Sequence, residues 1–530
     1  MSGARLAPLG SAGFCVELGD SLTAATNARV RALDRALERR PFDGLLEAVP
    51  TLCSLLVLYD GAAIRPAAVA RELEARIADL ESAPASPGRL HELKTRYGGE
   101  DGPDLAVLAR GRGLSERELI ALHTGGEYTA FMLGFKPGFA YLGLVPEPLE
   151  CSRHETPRVR VPAGSVGLAG RQTGVYPVSS PGGWQLIGRT AARLFDPWRD
   201  EPSLIAPGDR VRFVAVPELE APAGPAAPRP AASAPAVALV REPGLLTTVQ
   251  DGGRFRNRRL GVGCAGPVDG PALAAANRAV GNRADAAALE CTVAGPLVEF
   301  LAPVAFAVAG ADLGAVLERA DLGDWPLPRG ASVLARPGNR LRFTGRRDGC
   351  RAYLALRGGI DVPPVLGSRS TDLASGFGGL EGRALRAGDR IAVLPASGAE
   401  PVHSHAVPRA GSVRVRVVLG PQEHHFSGDA VARFLKDAWR VGATSDRIGL
   451  RLEGERLRHH GASEILSDGL VPGSIQVPPD GKPIVMLADG PTTGGYPKIA
   501  TVLTADLPLL AQLVPGEGEV RFEPVSLDEL

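Results

Sequence analysis

Apolar positions change period several times along the first 125 residues. From Thr23 to Arg39 and from Pro66 to Leu80 they recur at helical spacing and predict two helices, while the short continuous run LCSLLVLY (52 to 59) between them predicts a buried strand. Past His123 the texture becomes short alternating segments punctuated by Gly and Pro, the pattern of strands and turns. One phrase recurs four times: PGDRVRF from Pro207, PGNRLRF from Pro337, AGDRIAV from Ala387 and PGEGEVRF from Pro515. Each is a turn feeding an alternating strand, with Gly supplying positive φ and a short polar residue capping the turn. A longer echo links VPAGSVGLAGRQTGVYP (161 to 177) to VPGSIQVPPDGKPIVMLADGPTTGGYP (471 to 497), which share V-P-(x)-G-S and then T-G-x-Y-P at Thr173 to Pro177 and Thr493 to Pro497. Related β units carrying equivalent loops are expected, and closed or nearly closed β-barrels are the natural architecture for them.

The Pro/Ala-rich segment 216 to 237 has too little apolar bulk for a core and reads as a tether between two units. A weaker break at 397 to 411 divides the second unit. The expected organisation is a small α/β domain at 1 to 125, a barrel at 126 to 215, a first barrel half at 238 to 396 and a second at 412 to 525. The fold class is mainly β with an α/β N-terminal domain.

Composition narrows the function classes. Gly 66 and Pro 46 make about a fifth of 530 residues, which suits turns and short strands rather than a helix bundle. Lys+Arg 59 balances Asp+Glu 59, so no bulk electrostatic case exists for nucleic acid or an anionic membrane. The 6 cysteines are scattered, without a C-x-x-C pair. Neither a signal peptide nor an apolar run of the ~18 residues a membrane span needs is visible, so a cytoplasmic location is expected.

Standard chemical signatures are missing. Gly481-Lys482 is followed by Pro483, so no P-loop is present, and GVGCAG (261 to 266) follows a polar stretch and reads as a turn before a helix at Pro271 to Val280. No nucleophile elbow or HExxH occurs. The pairs His403/His405, His424/His425 and His459/His460 read as exposed or capping residues, and no metal ligand set is assigned. No lysine has a methionine neighbour, so biotin is not expected on this chain. What remains are Gly/Pro-rich segments dense in polar groups. Their backbone N–H groups can approach an oxyanion or phosphate, with Arg158, Arg160, Arg189, Arg369 and Lys498 as complementary cations, and Asp446 or Asp489 as bases or Mg²⁺ ligands.

GFKPGFAYLG, TPRVRVPAGSVGLAG, QTGVYP and PGGWQLIGRT resemble the signature of the 5-oxoprolinase B subunit, the KipI or allophanate hydrolase subunit 1 family. PGLLTTVQDGGR, GGIDVPPVLGSRST, SDRIGLRLEG and TTGGYPKIAT resemble the C subunit of the same enzyme, the KipA or biotin-dependent carboxyltransferase family. The chain thus resembles a B–C fusion. The resemblance implies cyclophilin-like β-barrels and an ATP-dependent 5-oxoprolinase, a hydrolase that opens 5-oxoproline to glutamate with ATP, Mg²⁺ and a LamB/YcsF-type A subunit. Asp446, Lys498 and Arg158 are the expected catalytic residues. Expected contacts to substrate or ATP are His123, Lys136, Arg160, Gln172, Thr173, Tyr176 and Arg189 in the first unit. In the second they are Gln250, Asp251, Arg369, Arg447, Thr492, Thr493 and Tyr496. Cys151, Ser152, Arg171 and Pro491 depart from the family pattern and bear on substrate identity. Two rivals are a carboxyltransferase component of a urea carboxylase-like system and a KipI-type inhibitor of a sensor kinase. Self-association into a homo-oligomer is compatible with all three.

Overall fold

The computed structural model of the protein describes residues 3–80, 88–220, 234–396, 400, 402 and 411–529. Most of the two tethers, with His403 and His405, lies outside these residues. The first 80 residues form an antiparallel sheet in the order β1 (Arg5–Leu9), β2 (Gly13–Glu17), β4 (Ser54–Tyr59), β3 (Leu45–Pro50). Helices α1 (Ala24–Arg39) and α2 (Pro66–Ala78) cover one face, packing Val30, Leu33, Leu37, Val69 and Leu73 on Phe14, Val16, Leu55 and Val57. Thr23 caps α1 by accepting the Thr26 N–H, and Pro66 opens α2 where an amide would have no partner. The other face, with Ala7, Leu9, Cys15, Val49 and Leu56, is buried against Val471, far along the chain. Burial on both faces explains why LCSLLVLY shows no alternation.

Two closed seven-stranded barrels follow. The first uses Leu90–Tyr97, Tyr128–Leu133, Ala140–Gly143, Ser165–Ala169, Gln172–Val175, Gln185–Thr190 and Arg210–Ala215. The second uses Ser412–Leu419, Trp439–Val441, Gly449–Glu453, Ser474–Gln476, Ile484–Met486, Lys498–Val502 and Glu519–Pro524. Counted in chain order within each barrel, the strands of both run around the wall as 5-3-2-7-1-6-4, with the first and last parallel. Each barrel also carries a two-stranded ribbon: Arg158–Val161 with Ser180–Gly182, and Asp468–Gly469 with Thr493–Gly494. The chain is therefore mainly β with tandem cyclophilin-like barrels, as the resemblance implied.

Three expectations change. The strand Leu90–Tyr97 and helices α3 (Leu105–Gly111) and α4 (Glu116–Thr124) belong to the first barrel, not to the α/β domain, because Leu93, Leu105, Leu108 and Leu119 sit in the barrel core. Residues 238 to 396 form a six-stranded and a five-stranded sheet stacked over one core, in which Val240, Val298 and Leu341 of one face Leu289, Phe306 and Leu354 of the other. That stretch is a sandwich with edges, not a barrel half. Helix α5 (Gly270–Ala279) lies on its outer face through Ala272 and Ala276 against Ala307, Ala309 and Tyr353. Finally, the T-G-x-Y-P echo is not topological. Thr173 to Val175 lie on a barrel strand, whereas Thr493-Gly494 lies in a ribbon; the true counterpart of Gly494-Gly495-Tyr496 is Gly182-Gly183-Trp184, which likewise leads to the sixth strand. Small residues recur because each site is crowded by a different neighbour, Trp184 beside Gly174 and Gln476 beside Gly494. No helix among the described residues is long and apolar enough to cross a membrane.

Candidate functional site at the junction of the two units

Several of the expected site residues are bound up in the walls. His123 is fully buried between the Tyr97 hydroxyl (2.7 Å) and the Thr173 hydroxyl (2.9 Å), and burial lowers its pKa to about 3, so the ring is neutral. Thr173 also donates to the Gly167 carbonyl, and Gln172 is buried beside it on the same strand. Tyr176 packs its ring edge-on against Phe135 and Phe139. Asp446 caps its own turn by accepting the Ile448 and Gly449 N–H groups. Asp251 accepts from the Ser368 and Ser370 hydroxyls and from the Arg369 and Gly253 N–H groups, and so ties two loops together. The half-buried Tyr496 gives its backbone carbonyl to Gln476.

Lys498, expected as a catalytic cation, is sealed at 0% exposure, and its amine donates to Asp468 at 2.8 Å. The same carboxylate accepts from Gln422 and from two side chains of the N-terminal domain, Ser54 and Cys15. Burial alone would raise the Asp468 pKa; the Lys498 charge and the hydrogen bonds from Lys498, Ser54 and the Gly469 N–H together outweigh it and hold the carboxyl below its usual range. Lys498 thus serves as the counter-ion of a carboxylate on which the N-terminal domain and the second barrel meet. Arg447 is similarly enclosed. It grips Asp489 with two N–H groups at 2.8 Å each, pairs with Glu290 of the sandwich and donates to the Gly266 carbonyl. Glu290 in turn accepts from the Tyr353 hydroxyl, 2.6 Å away.

Around these anchors the glycine-rich loops of both units converge. The first barrel sends in Gly134-Phe135-Lys136, where the Phe135 N–H donates to the Thr493 hydroxyl of the second unit at 3.1 Å. Gly134 is obligatory, since a Cβ there would collide with that hydroxyl. The GVGCAG segment packs alongside: Gly261 has φ +77°, and a Cβ on it would lie 2.5 Å from the Lys136 carbonyl. It follows a single 3₁₀ turn, Arg258–Leu260, not a strand, so it remains a turn, but one built into the junction. Lys136 reaches across to donate to the Ala374 carbonyl at 3.1 Å. Burial lowers its pKa from 10.5, and the Asp372 carboxylate pulls the other way. Asp372 also acts on Arg254 and Asp489, so these groups share one field. Arg254 is 1% exposed, donates to the Val365 and Ser370 carbonyls at 2.9 Å and lies over the Phe377 ring; its third nitrogen, Nη1, has no partner among the described residues. Gln250 Oε1, Arg369 Nε and Thr492 Oγ1, in the same loops, are buried and unpartnered too. Buried polar groups are normally hydrogen-bonded, so these atoms leave donors and acceptors open to water or a ligand.

The junction therefore unites Lys136, Gln250, Arg369, Arg447, Thr492 and Thr493 of the expected residues. It adds Arg254 and Asp372, which sequence reasoning passed over although both adjoin quoted motifs: Arg254 ends PGLLTTVQDGGR and Asp372 follows GSRST. Arg158, Arg160 and Arg189 lie apart, on a face of the first barrel. No group of three or more His, Cys, Asp or Glu side chains placed to hold a metal ion occurs among the described residues.

A sandwich flanked by two barrels of identical topology, with a polar junction between them, is the class of architecture the geometry defines. Family models for the carboxyltransferase domain match it, subdomains C and D over residues 4–205 and subdomains A and B over 260–524. The chain is 43% identical to the C subunit of 5-oxoprolinase from Escherichia coli over 288 residues, covering 54% of this chain and 90% of that one. It is 40% identical to the B subunit of 5-oxoprolinase from Bacillus subtilis over 224 residues, covering 40% of this chain and 93% of that one. The crystal structure of TTHA0988 superimposes with a TM-score of 0.84 at 39% identity, covering 96% of this chain and 99% of that one. This chain belongs to the carboxyltransferase-domain family and joins in one polypeptide the counterparts of the B and C subunits of 5-oxoprolinase.

Proposed function

We propose that the chain is the fused B–C component of an ATP-dependent 5-oxoprolinase, which with a separate LamB/YcsF-type A subunit opens 5-oxoproline to glutamate. The observation that carries the reading is Lys136: a half-buried ammonium with one carbonyl partner, facing Asp372, where loops from both units meet. A lactam is a poor electrophile. Transfer of the γ-phosphoryl of ATP to its carbonyl oxygen releases ADP and makes that oxygen a leaving group. One water then adds at the carbon and the ring C–N bond breaks, the nitrogen leaving protonated as the amine of glutamate; a second water releases phosphate. Charge accumulates on phosphoryl and carbonyl oxygens, and Lys136, the free Nη1 of Arg254 and backbone N–H groups of the glycine loops are the donors that meet it. Burial lowers the Lys136 pKa, and the Asp372 carboxylate offsets part of that by favouring the ammonium. Mg²⁺ would enter with the nucleotide.

The same site could polarise a carbonyl for carboxyl transfer, the chemistry in the family's name, and one assay separates the two. In a mixture of the full chain, its LamB/YcsF-type partner, ATP and 5-oxoproline, one ADP is expected per glutamate, and omission of any component abolishes both products. Carboxyl exchange between carboxybiotin and a urea-like amide, with no ADP dependent on 5-oxoproline, would overturn the hydrolase reading. A kinase-inhibitor role has no need of the polar convergence between the units.

A further inference from the structure

The first barrel carries a cavity, away from the junction, of about 220 Å³, lined by Arg158, Arg160, Ser165, Leu186 and Arg189 with Glu100 and Asp101 beside them. Its origin is legible in the barrel repeat. Ser165 pairs with Arg189 across the wall just as Ser474 pairs with Thr501 in the second barrel, and Arg158 faces Gly182 in the ribbon just as Asp468 faces Gly494. The Leu186 N–H is accepted by Asp104 as the Lys498 N–H is accepted by Gln422. In the second barrel this place is filled by the N-terminal sheet: Ser54 and Cys15 meet Asp468, Leu56 packs at Gly469, and Gly10 abuts Thr501. In the first barrel nothing among the described residues fills it.

What lines the open copy is cationic. The Arg158 fork is committed to Asp104 through Nη2 at 2.7 Å, while its Nη1 is buried without a partner. Arg160 is anchored through Nε to the Ser179 hydroxyl at 3.2 Å, and Arg189 through Nε to the Ala163 carbonyl at 3.0 Å. Anchoring through Nε fixes the plane of each guanidinium and leaves its terminal nitrogens for another acceptor. Asp101 is held by Arg96, with Arg189 Nη1 further off at 3.8 Å, and Asp104 is spent on Arg158, His154 and the Leu186 N–H. Arg160 is left facing the exposed Glu100, and Arg189 reaches only the second oxygen of an Asp101 already held by Arg96.

We infer that this cavity binds a small organic or inorganic anion through carboxylate or phosphate oxygens, at a site separate from the junction. The inference is independent of the proposed reaction, because binding requires neither ATP turnover nor a second protein. It is tested by calorimetric titration of the full chain with inorganic phosphate, L-glutamate and 5-oxoproline in turn. At least one probe is expected to saturate, more weakly as salt rises, and the Arg160→Ala/Arg189→Ala variant is expected to weaken it by about tenfold or more. Both side chains are surface-facing; an unchanged melting temperature verifies that the variant is folded, and Arg160→Ala alone gives a second reading. Saturation by phosphate alone assigns a phosphate-bearing ligand, and saturation by a carboxylate alone assigns a carboxylate. Absence of saturable binding up to about 10 mM of every probe, or binding unmoved by the double variant, overturns the inference. A Lys136→Met variant should bind the probe as the wild type does, which separates failure here from failure at the junction.

Discussion

Asp468→Ala is expected to destabilise the protein by about 3–5 kcal/mol, the largest effect of any single substitution considered. The reason is what remains. Lys498 would be a fully buried ammonium without a counter-ion, and Ser54, Cys15 and Gln422 would lose a common acceptor. Because Ser54 and Cys15 belong to the N-terminal sheet, the loss also loosens that domain from the second barrel. The double variant Asp468→Ala/Lys498→Met should recover much of the loss, since a buried pair replaced whole is far less costly than one broken. Urea-denaturation midpoints of the three proteins test this; equal midpoints for wild type and Asp468→Ala would refute it. The sign with pH follows from the lowered carboxyl pKa. The pair's stabilisation is complete above the unfolded value of 3.8 and is lost as pH falls below it toward the lower folded value, so the variant and wild type should converge only in acid.

Lys136→Met is expected to leave folding intact and to lower 5-oxoproline-dependent ADP release by about 10²–10³-fold, the usual effect of removing one preorganised donor to a developing negative charge. The amine makes a single hydrogen bond, to the Ala374 carbonyl, so little of the fold depends on it. The ammonium is the active form and burial lowers its pKa. The alkaline fall of wild-type activity should therefore lie below 10.5, and Lys136→Arg, charged throughout, should lose that limb while retaining part of the rate. Undiminished turnover by Lys136→Met would remove this residue from the chemistry.

How much is legible in the sequence depends on range. The two N-terminal helices and the strand between them follow from local period: α1 starts one residue after Thr23 and α2 at Pro66. All four glycine turns lead into strands, at Arg210, Arg340, Arg390 and Glu519. The sandwich at 238 to 396 reads as a barrel half because alternation marks a strand's buried face without saying whether the sheet closes. The family motifs locate the junction loops, yet not which of their polar groups face one another. Lys498 and Asp446 read alike as charged residues in glycine-rich loops. One is sealed against Asp468, 30 positions away, and the other caps its own turn. The partners that decide such roles come from elements hundreds of residues apart, as when Ser54 meets Asp468, and no local pattern encodes them.

A crystal structure of the full chain grown with ADP and 5-oxoproline tests most directly whether the junction is the place of reaction. Ligand density within hydrogen-bond reach of Lys136 Nζ and Arg254 Nη1, between the loops of the two units, is the predicted result. Density confined to other surfaces, with the junction loops closed around nothing, would contradict it.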